Sequence, residues 1–500
     1  MKKILSVLLA IAMLVSVMSL AACNSGNGPQ GNDPADDKPA GMASYDVPAV
    51  GYDGSAVTVV FYHSMGAKLQ GVLNTYIEEF NKLYPNITIE HSSMGVYDGV
   101  RDQIKTALTA GNQPNIAYCY PDHVALYNVA KAVVPLDNFI ESTIPVTDAE
   151  GNETVLGFTS EQIADFIPGY YAEGTAFDTA GTMYTLPMSK STEALYYNKT
   201  FFEKNNLQVP TTWEEMAKVC EQIKAIDPDC VPLGYDSEAN WFITMCEQYG
   251  SEYTSLDSNG HFKFNNETNR GFVKMFRDWY NKGWVTTEEI YGSYTSGLFT
   301  ATEGQKCYMV IGSTGGASYQ TPPETADGNS LFETAMTTPP QVNPADPKVI
   351  SQGPSLCIFK DANPQEVVAS WLFVKFLTTN VNFQAEFSMK SGYAPVIKSV
   401  NANNTYKNWL ETASGKIVKT TNEKGETVVT PANLTAMSVK LALSQENAYY
   451  VSHAFNGSSE ARDQAGLIMY TVLVYEGDDV EAAVDKAFKD AMAECLYARG

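Results

Sequence analysis

The chain has 500 residues, with 33 basic against 57 acidic side chains and a net charge of −24. An acidic excess of this size repels a nucleic-acid backbone and an anionic membrane surface alike, so no nucleic-acid partner is expected and any membrane contact must be covalent. A hydrophobic content of 44% lets the chain bury a core, and its length exceeds what one core accommodates, which predicts two domains or more.

The N-terminus sets the positive pair Lys2 and Lys3 before an apolar run from Ile4 to Leu20, then Leu20-Ala21-Ala22-Cys23. This is the layout of a lipoprotein signal peptide over residues 1–22. Cleavage before Cys23 removes both lysines, takes the net charge from −24 to −26, and leaves Cys23 to carry the lipid. An uncleaved anchor is the competing reading, because the run is nearly long enough to span a bilayer. Residues 26–31, GNGPQG, match the dinucleotide-binding pattern G-x-G-x-x-G, but the NDPADDKPAGMAS that follows has no apolar face and cannot open the helix such a turn requires. Residues 23–50 are read as the lipidated cysteine and a flexible tether.

The folded part, 51–500, opens with a predicted strand, VTVVFY (57–62). Leu69, Val72, Leu73, Tyr76, Ile77, Phe80 and Leu83 follow at helical spacing. NITIEH reads as a second strand, VRDQIKTALTAG as a second helix and NIAYCY (115–120) as a third strand. Alternation of this kind predicts a parallel sheet with helices on both faces and a ligand site at the carboxyl ends of its strands, which puts His63, Ser64, Tyr120 and Asp122 near a cleft. Asp122 also suits a plain helix start. Residues 181–202 read as a crossover between domains, with Lys190 and Glu193 solvated. Thr212 and Glu215 stand in capping-box spacing, with Trp213 as a packing residue. Trp241, in EANWFITM, is either a core residue or a ring face for a pyranose or glycerol skeleton. Further helices are predicted at about 267–282, 365–378 and 381–389, and an amphipathic helix closes the chain. KCYMVIGSTGGAS (306–318) is a buried strand running into a glycine-rich loop, open to two readings: an ordinary turn, or backbone N–H groups aimed at an anion or hydroxyl. Residues 411–431 read as an exposed hairpin.

Seven cysteines remain beside Cys23 and sit in periodic segments as small buried residues. Cys220 and Cys230 are close enough in sequence to pair, but spacing alone does not show that they do. His63, His91, His123, His261 and His453 are scattered, and no C-x-x-C, H-E-x-x-H, G-x-S-x-G or Walker pattern occurs. No metal, cofactor or catalytic residue is therefore expected.

The order FYHSM (61–65), EEFNKLYPNITIE (78–90), AGNQPNIAYCY (110–120), LPMSKSTEALYYNKTFFEKNNLQVPTTWEEM (186–216) and KSGYAPV (390–396) resembles the extracellular solute-binding proteins, family 1, of bacterial ABC importers. The resemblance covers nearly everything after the tether. It implies a non-catalytic, two-lobe α/β fold of the type II periplasmic-binding-protein kind, its lobes joined by crossing strands with a ligand cleft between them. Lobe 1 is expected at about 51–165 plus about 315–395, and lobe 2 at about 190–310 plus about 400–500. A monomer is expected, with ABC permease subunits as partners and a lipid anchor at the extracellular face of the cell membrane.

Within the family the chain is most similar to the glycerol-3-phosphate- and sugar-binding branch. Carried over residue by residue, the resemblance implies ligand contacts from His63 and Ser64 in the opening motif, Tyr97 before the second helix and Ser191 in the crossover. It adds Ser313, Thr314 and Gly315 in the small-residue loop, then Gly353, Tyr393 and Arg462, the last near a phosphate-binding arginine of that branch. Sugar-binding relatives use an aromatic near Trp241. A ligand-binding Glu of the branch is replaced here by Pro121, with Asp122 one step on, and its opening Trp is Tyr62. The expected solute is a sugar or oligosaccharide. The alternative is glycerol-3-phosphate or a glycerophosphodiester, and a secreted carboxylate-dependent hydrolase is a second alternative with no nucleophile or metal spacing behind it.

Overall fold

The computed structural model describes residues 42–499 apart from 258, 259, 423 and 425. The signal peptide, Cys23 and the tether as far as Gly41 lie outside the described residues. The chain is held earlier than expected: Tyr45 stacks on Phe139 at 5.8 Å and its carbonyl accepts from Asn138 Nδ2 at 2.8 Å, so 45–50 belong to the folded body and not to the tether.

The chain first lays down β1 (Val57–His63), α1 (Ala67–Leu83), β2 (Ile87–Ser93), α2 (Tyr97–Ala110), β3 (Ile116–Cys119) and α3 (Pro121–Asn128). The spacing read in α1 turns Val72, Leu73, Tyr76, Ile77 and Phe80 into the core. After β4 (Leu186–Pro187) the chain crosses to a second sheet through β5 (Glu193–Asn198), α4 (Trp213–Ile226), β6 (Leu233–Tyr235), α5 (Glu238–Tyr249), α6 (Glu267–Asn281), β7 (Val285–Thr287), β8 (Met309–Ser313) and β9 (Thr334–Thr337). It returns with β10 (Ser355–Ile358), α7 (Pro364–Thr379) and α8 (Val381–Ser391). An exposed hairpin, β11 (Val418–Thr421) and β12 (Thr427–Thr430), precedes α9 (Leu434–Ser444), α10 (Ser458–Leu473) and α11 (Val480–Arg499). The capping box of α4 is present, with Thr212 Oγ1 accepting from Glu215 N and Glu215 Oε2 accepting from Thr212 N, each at 3.2 Å.

Both sheets are mixed where a parallel one was expected. The first runs β2-β1-β3-β10-β4 and the second β9-β5-β8-β6-β7. In each, parallel strands built locally meet strands that have crossed from the other side: β10 is antiparallel to β3, and β5 antiparallel to β8. Each sheet carries its own core. Phe61, Phe80, Tyr118, Leu356 and Trp371 pack in the first, and Leu233, Trp241, Phe276, Met309 and Phe488 in the second.

Lobe boundaries differ from those expected. Residues 315–350 belong with the second lobe, since β9 pairs with β5 and Phe332 packs with Ala194 and Tyr196. Val400 and Tyr406 lie in the first core. Helix α9 serves both, sending Val439 and Ala442 into the first core while Leu434 packs beside Phe332.

Two crossing segments meet back to back. Ser191 N donates to Gln352 O at 2.9 Å and Gln352 N to Ser191 O at 2.8 Å. Gly353 has φ +92°, and a Cβ there would stand 2.5 Å from Ser189 O and 2.9 Å from Lys190 Cα, so only glycine permits this approach. Lys190, expected in solvent, is fully buried. Its ammonium donates to Glu173 Oε1 at 2.6 Å, Gly353 O at 3.2 Å and Ser355 Oγ at 3.2 Å, which uses all three of its protons. Cys220 and Cys230 are free, buried thiols, not a disulfide.

Candidate functional site

Strand ends converge on one cleft. Ser64 follows β1 and Tyr120 follows β3 on one side. Asp236 and Ser237 follow β6, Glu288 follows β7 and Ser313 closes β8 on the other. These residues line a cavity of about 690 Å³, to which the crossing segments add Ser191 and Gln352. Helix α2 adds Tyr97 from its first position, the turn after α8 adds Tyr393, and α5 and α10 add Asn240 and Arg462.

The first-lobe wall is aromatic. Tyr97 and Tyr120 rings lie 4.8 Å apart, and the Tyr97 and Tyr393 hydroxyls are 3.5 Å apart. Burial pushes the hydroxyl pKa of Tyr97, Tyr120 and Tyr393 up, so all three stay neutral and keep a proton to donate. Gly315 lies against Tyr393, and a Cβ at that position would come within 2.8 Å of the ring's Cζ. The glycine-rich loop is a capped turn: Thr314 N donates to Thr192 O at 2.7 Å and Gly315 N to Ser313 Oγ at 3.1 Å. Those two N–H groups are spent within the protein, and Ser313 Oγ turns to Ser191 Oγ at 3.4 Å.

Arg462 ends a chain of polar contacts. It donates through Nη2 to Asn240 Oδ1, Asn240 Nδ2 donates to Glu193 Oε1 at 2.9 Å, and Tyr235 OH donates to Glu193 Oε2 at 2.8 Å. Glu193, expected in solvent, is 2% exposed. Burial pushes its carboxyl up to about 7, opposed by the bonds from Tyr235 and Asn240 and by the charge of Arg462. The opposite wall is acidic. Asp236 Oδ1 accepts from Thr295 N at 2.7 Å and from Thr295 Oγ1 at 2.6 Å, and Glu238 Oε1 accepts from Glu289 N at 3.1 Å. Burial, with the charges of Asp236, Glu238 and Glu289, pushes the Glu288 carboxyl up to about 7.

Of the residues singled out in the sequence, Ser64, Tyr97, Tyr120, Ser191, Ser313, Gly315, Tyr393 and Arg462 line this cavity. Five do not. His63 is wholly buried beneath it, because β1 turns the side chain into the sheet's core; its Nδ1 accepts from Met65 N at 3.0 Å and its Nε2 meets His91 Nδ1 at 2.9 Å. Burial, then the neighbouring His91, pulls its pKa down to about 4, so His63 is neutral and fixes the turn that carries Ser64. Trp241 is no platform: it lies on the core side of α5, fully buried and stacked on Tyr235 at 4.8 Å. Thr314 is buried, its Oγ1 accepting from Thr192 N at 3.1 Å. Gly353 works through its backbone at the crossing. Asp122 lines a smaller chamber of about 120 Å³ with His453, and this chamber shares Tyr120, Gln352 and Arg462 with the main cavity.

Asp236, Glu288, Asn240 and Gln352 were not anticipated. The rule that pointed to Ser64 and Tyr120 reaches the first two, but β6 and β7 are three residues long and carry no readable alternation. Among the described residues no cluster of three or more His, Cys, Asp or Glu side chains has the arrangement of a metal site.

Two α/β lobes joined by crossing segments around a polar, hydroxyl-lined cleft are the architecture of a solute-binding protein. The chain belongs to the bacterial extracellular solute-binding proteins, a family that matches residues 75–413. It is 25% identical over 360 residues to the sn-glycerol-3-phosphate-binding periplasmic protein UgpB of Escherichia coli K12, an alignment covering 69% of this chain and 75% of that one. Among solved structures, UgpB from Mycobacterium tuberculosis in complex with glycerophosphocholine superposes with a TM-score of 0.66 at 16% identity, over 89% of this chain and 99% of that one. Maltose-bound MalE3 of T. maritima gives 0.63 at 16% identity, over 88% and 100%. The chain is accordingly a solute-binding component of an ABC importer, and its family is one of substrate-binding proteins, not enzymes. No described helix is long and apolar enough to cross a membrane.

Proposed function

We propose that the cleft captures a sugar or an oligosaccharide and that the chain, without catalytic activity of its own, delivers it to the membrane permease. The observation that carries this reading is the balance of groups around the cavity. Two carboxylates, Asp236 and Glu288, stand with the hydroxyls of Ser64, Ser191, Ser313 and Tyr97 against one cation, Arg462. A carboxyl group accepts from hydroxyl donors in either protonation state and, where ionised, opposes a phosphate of like charge. The tyrosine wall supplies ring faces for a carbon skeleton.

Arg462 and the similarity to a glycerol-3-phosphate-binding protein favour a second reading, capture of glycerol-3-phosphate or a glycerophosphodiester. A thermal-shift screen over neutral sugars, oligosaccharides and glycerophosphates separates the two, since a ligand at 100 times its Kd stabilises by about 2.7 kcal/mol. A neutral sugar is expected to give the larger shift, and inorganic phosphate is expected not to displace it. Displacement by phosphate, lost in Arg462→Ala, would install the second reading instead.

The signal layout before Cys23 supports a chain held by lipid at the extracellular face of the cell membrane. Cys23→Ser is expected to move the protein from the membrane pellet to the supernatant. Retention in the pellet would mean that residues 4–20 act as an uncleaved anchor.

A further inference from the structure

Two histidines lie end to end beneath the first-lobe wall. His63, at the end of β1, is wholly buried, and its Nδ1 accepts from Met65 N at 3.0 Å. That amide can only donate, so the hydrogen of the neutral ring sits on Nε2. Nε2 donates to His91 Nδ1 of β2, 2.9 Å away, which leaves the His91 hydrogen on Nε2, where Asn74 Oδ1 of α1 accepts it at 2.8 Å. Two hydrogens on the four ring nitrogens satisfy every link. A third has no free place: on His63 Nδ1 it meets the Met65 N–H, and on His91 Nδ1 it meets the hydrogen of His63 Nε2. His63 can admit it only by moving its own hydrogen from Nε2 to Nδ1, and Met65 N then loses its acceptor. Little charge surrounds the pair. Phe61 of β1 and Tyr118 of β3 pack on His63, with the Tyr118 ring 6.0 Å away and its hydroxyl kept neutral by burial. Glu90 lies on the opposite face of β2. The neighbours of Asn74 at three- and four-residue steps along α1 are Gln70, Gly71, Ile77 and Glu78, of which only Glu78, exposed, is charged. Burial lowers the His91 pKa with no help from a neighbouring charge, and burial, then His91, lowers that of His63 to about 4.

We propose that the His63–His91–Asn74 chain is an acid-sensitive switch in the cleft wall: a proton taken up at His91 is passed inward as the loss of the Met65 N bond, and the Ser64–Met65 turn loosens. Asn74 is exposed and His91 partly buried, so the proton enters from the solvent side of α1 and takes effect inside the lobe. Ser64, one residue before Met65, lines the cavity, and Gly66, one residue after it, starts α1. The freed amide therefore sits between a cleft side chain and a helix start. The consequence for the solute rests on the cleft's being its site: a solute held at neutral pH is held less well in acid. Glu193 and Glu288 also take up protons, but at about 7 and on the second-lobe side, so the switch is read at the turn itself.

Hydrogen exchange at the Met65 amide, followed by mass spectrometry on the unliganded chain and corrected for the intrinsic effect of pH, tests the switch. It needs no solute, so its failure is separate from a failure of the solute-capture reading. Protection of Met65 relative to the amides of β10 is expected to fall about three- to tenfold between pH 7.5 and pH 4.5, the size of one lost hydrogen bond. His91→Gln has no titratable ring and is expected to remove that fall. Asn74→Asp, at an exposed position, sets a carboxylate against His91 Nε2–H and is expected to move the fall to higher pH by about one unit. Ring ¹⁵N spectra of histidine-labelled protein are expected to show both rings with the hydrogen on Nε2 at pH 7.5. A hydrogen on Nδ1 of either ring at that pH, protection that does not change with pH, or a fall that is the same in parent, His91→Gln and Asn74→Asp would overturn the switch. A fall that β10 shares to the same degree would mean global unfolding and would overturn it as well.

Discussion

A carboxyl group that is 2% exposed and divides its oxygens between Tyr235 and Asn240 must hold its charge in a poor solvent or take up a proton. For Glu193 burial wins, and its pKa rises from 4.5 to about 7. The sign follows. Between those values the folded chain holds a proton that the unfolded chain has lost, so this group's contribution to stability is full below about 4.5 and declines as pH rises through 7. The ceiling is roughly 3 kcal/mol. Glu193→Gln cannot ionise, so the parent's stability relative to this variant is expected to fall between pH 5 and pH 8 in urea titrations. A difference that is the same at both pH values would show that Glu193 does not titrate in this range. Sequence could not reveal this residue, nor Lys190: a charged side chain in a crossover reads as solvated, and only the tertiary fold brings Tyr235 and Asn240, or Glu173 and Ser355, to it. Arg462 was legible because an arginine near a helix start is opposed by the dipole and needs another reason to be there.

Among the elements, the crossing segments carry the heaviest constraint. Lys190 ties three parts of the chain through Glu173, Gly353 and Ser355, and Ser351 Oγ donates to the other oxygen of Glu173 at 3.0 Å. Removing one partner of a buried pair strands the other charge, at about 3–5 kcal/mol. Lys190→Met is therefore expected to destabilise by about that much, and Lys190→Met combined with Glu173→Gln by clearly less, because the second change neutralises the stranded carboxylate. Denaturant unfolding of the two variants checks this, and a double variant no more stable than the single one would refute it. Element legibility followed length and period. The face of α1, the capping box of α4 and the β11–β12 hairpin were readable from the chain. The three-residue strands β6 and β7 were not, and with them went Asp236 and Glu288. Trp241 was ambiguous for a related reason: α5 has apolar residues on most of its surface, so spacing did not say which side met the core.

At the scale of the molecule, the lobes touch beside the cleft as well as at the crossing. Arg101 of α2, paired within its own lobe to Asp98 at 3.2 Å and Asp102 at 3.0 Å, also reaches Ser459 Oγ of α10 at 3.4 Å and Asp463 Oδ2 at 3.8 Å. A rotation that separates the lobes would break the last two contacts and keep the first two, so Arg101 favours an arrangement in which the lobes touch here. Asp463 is 56% exposed on its side chain, which limits the pair to about 0–1 kcal/mol, or up to about fivefold in a closing equilibrium. Closure by solute should reduce the radius of gyration in small-angle scattering. Arg101→Ala should leave that reduction possible at saturation while weakening affinity by up to about fivefold. Salt should erase most of the difference between parent and variant, since the contact is screened where it faces solvent. A radius of gyration unchanged by saturating ligand would mean a rigid cleft. A loss of affinity in Arg101→Ala that persists in 0.5 M salt, an ionic strength at which screening is nearly complete over about 5 Å, would place Arg101 in contact with the solute instead of across the closing lobes.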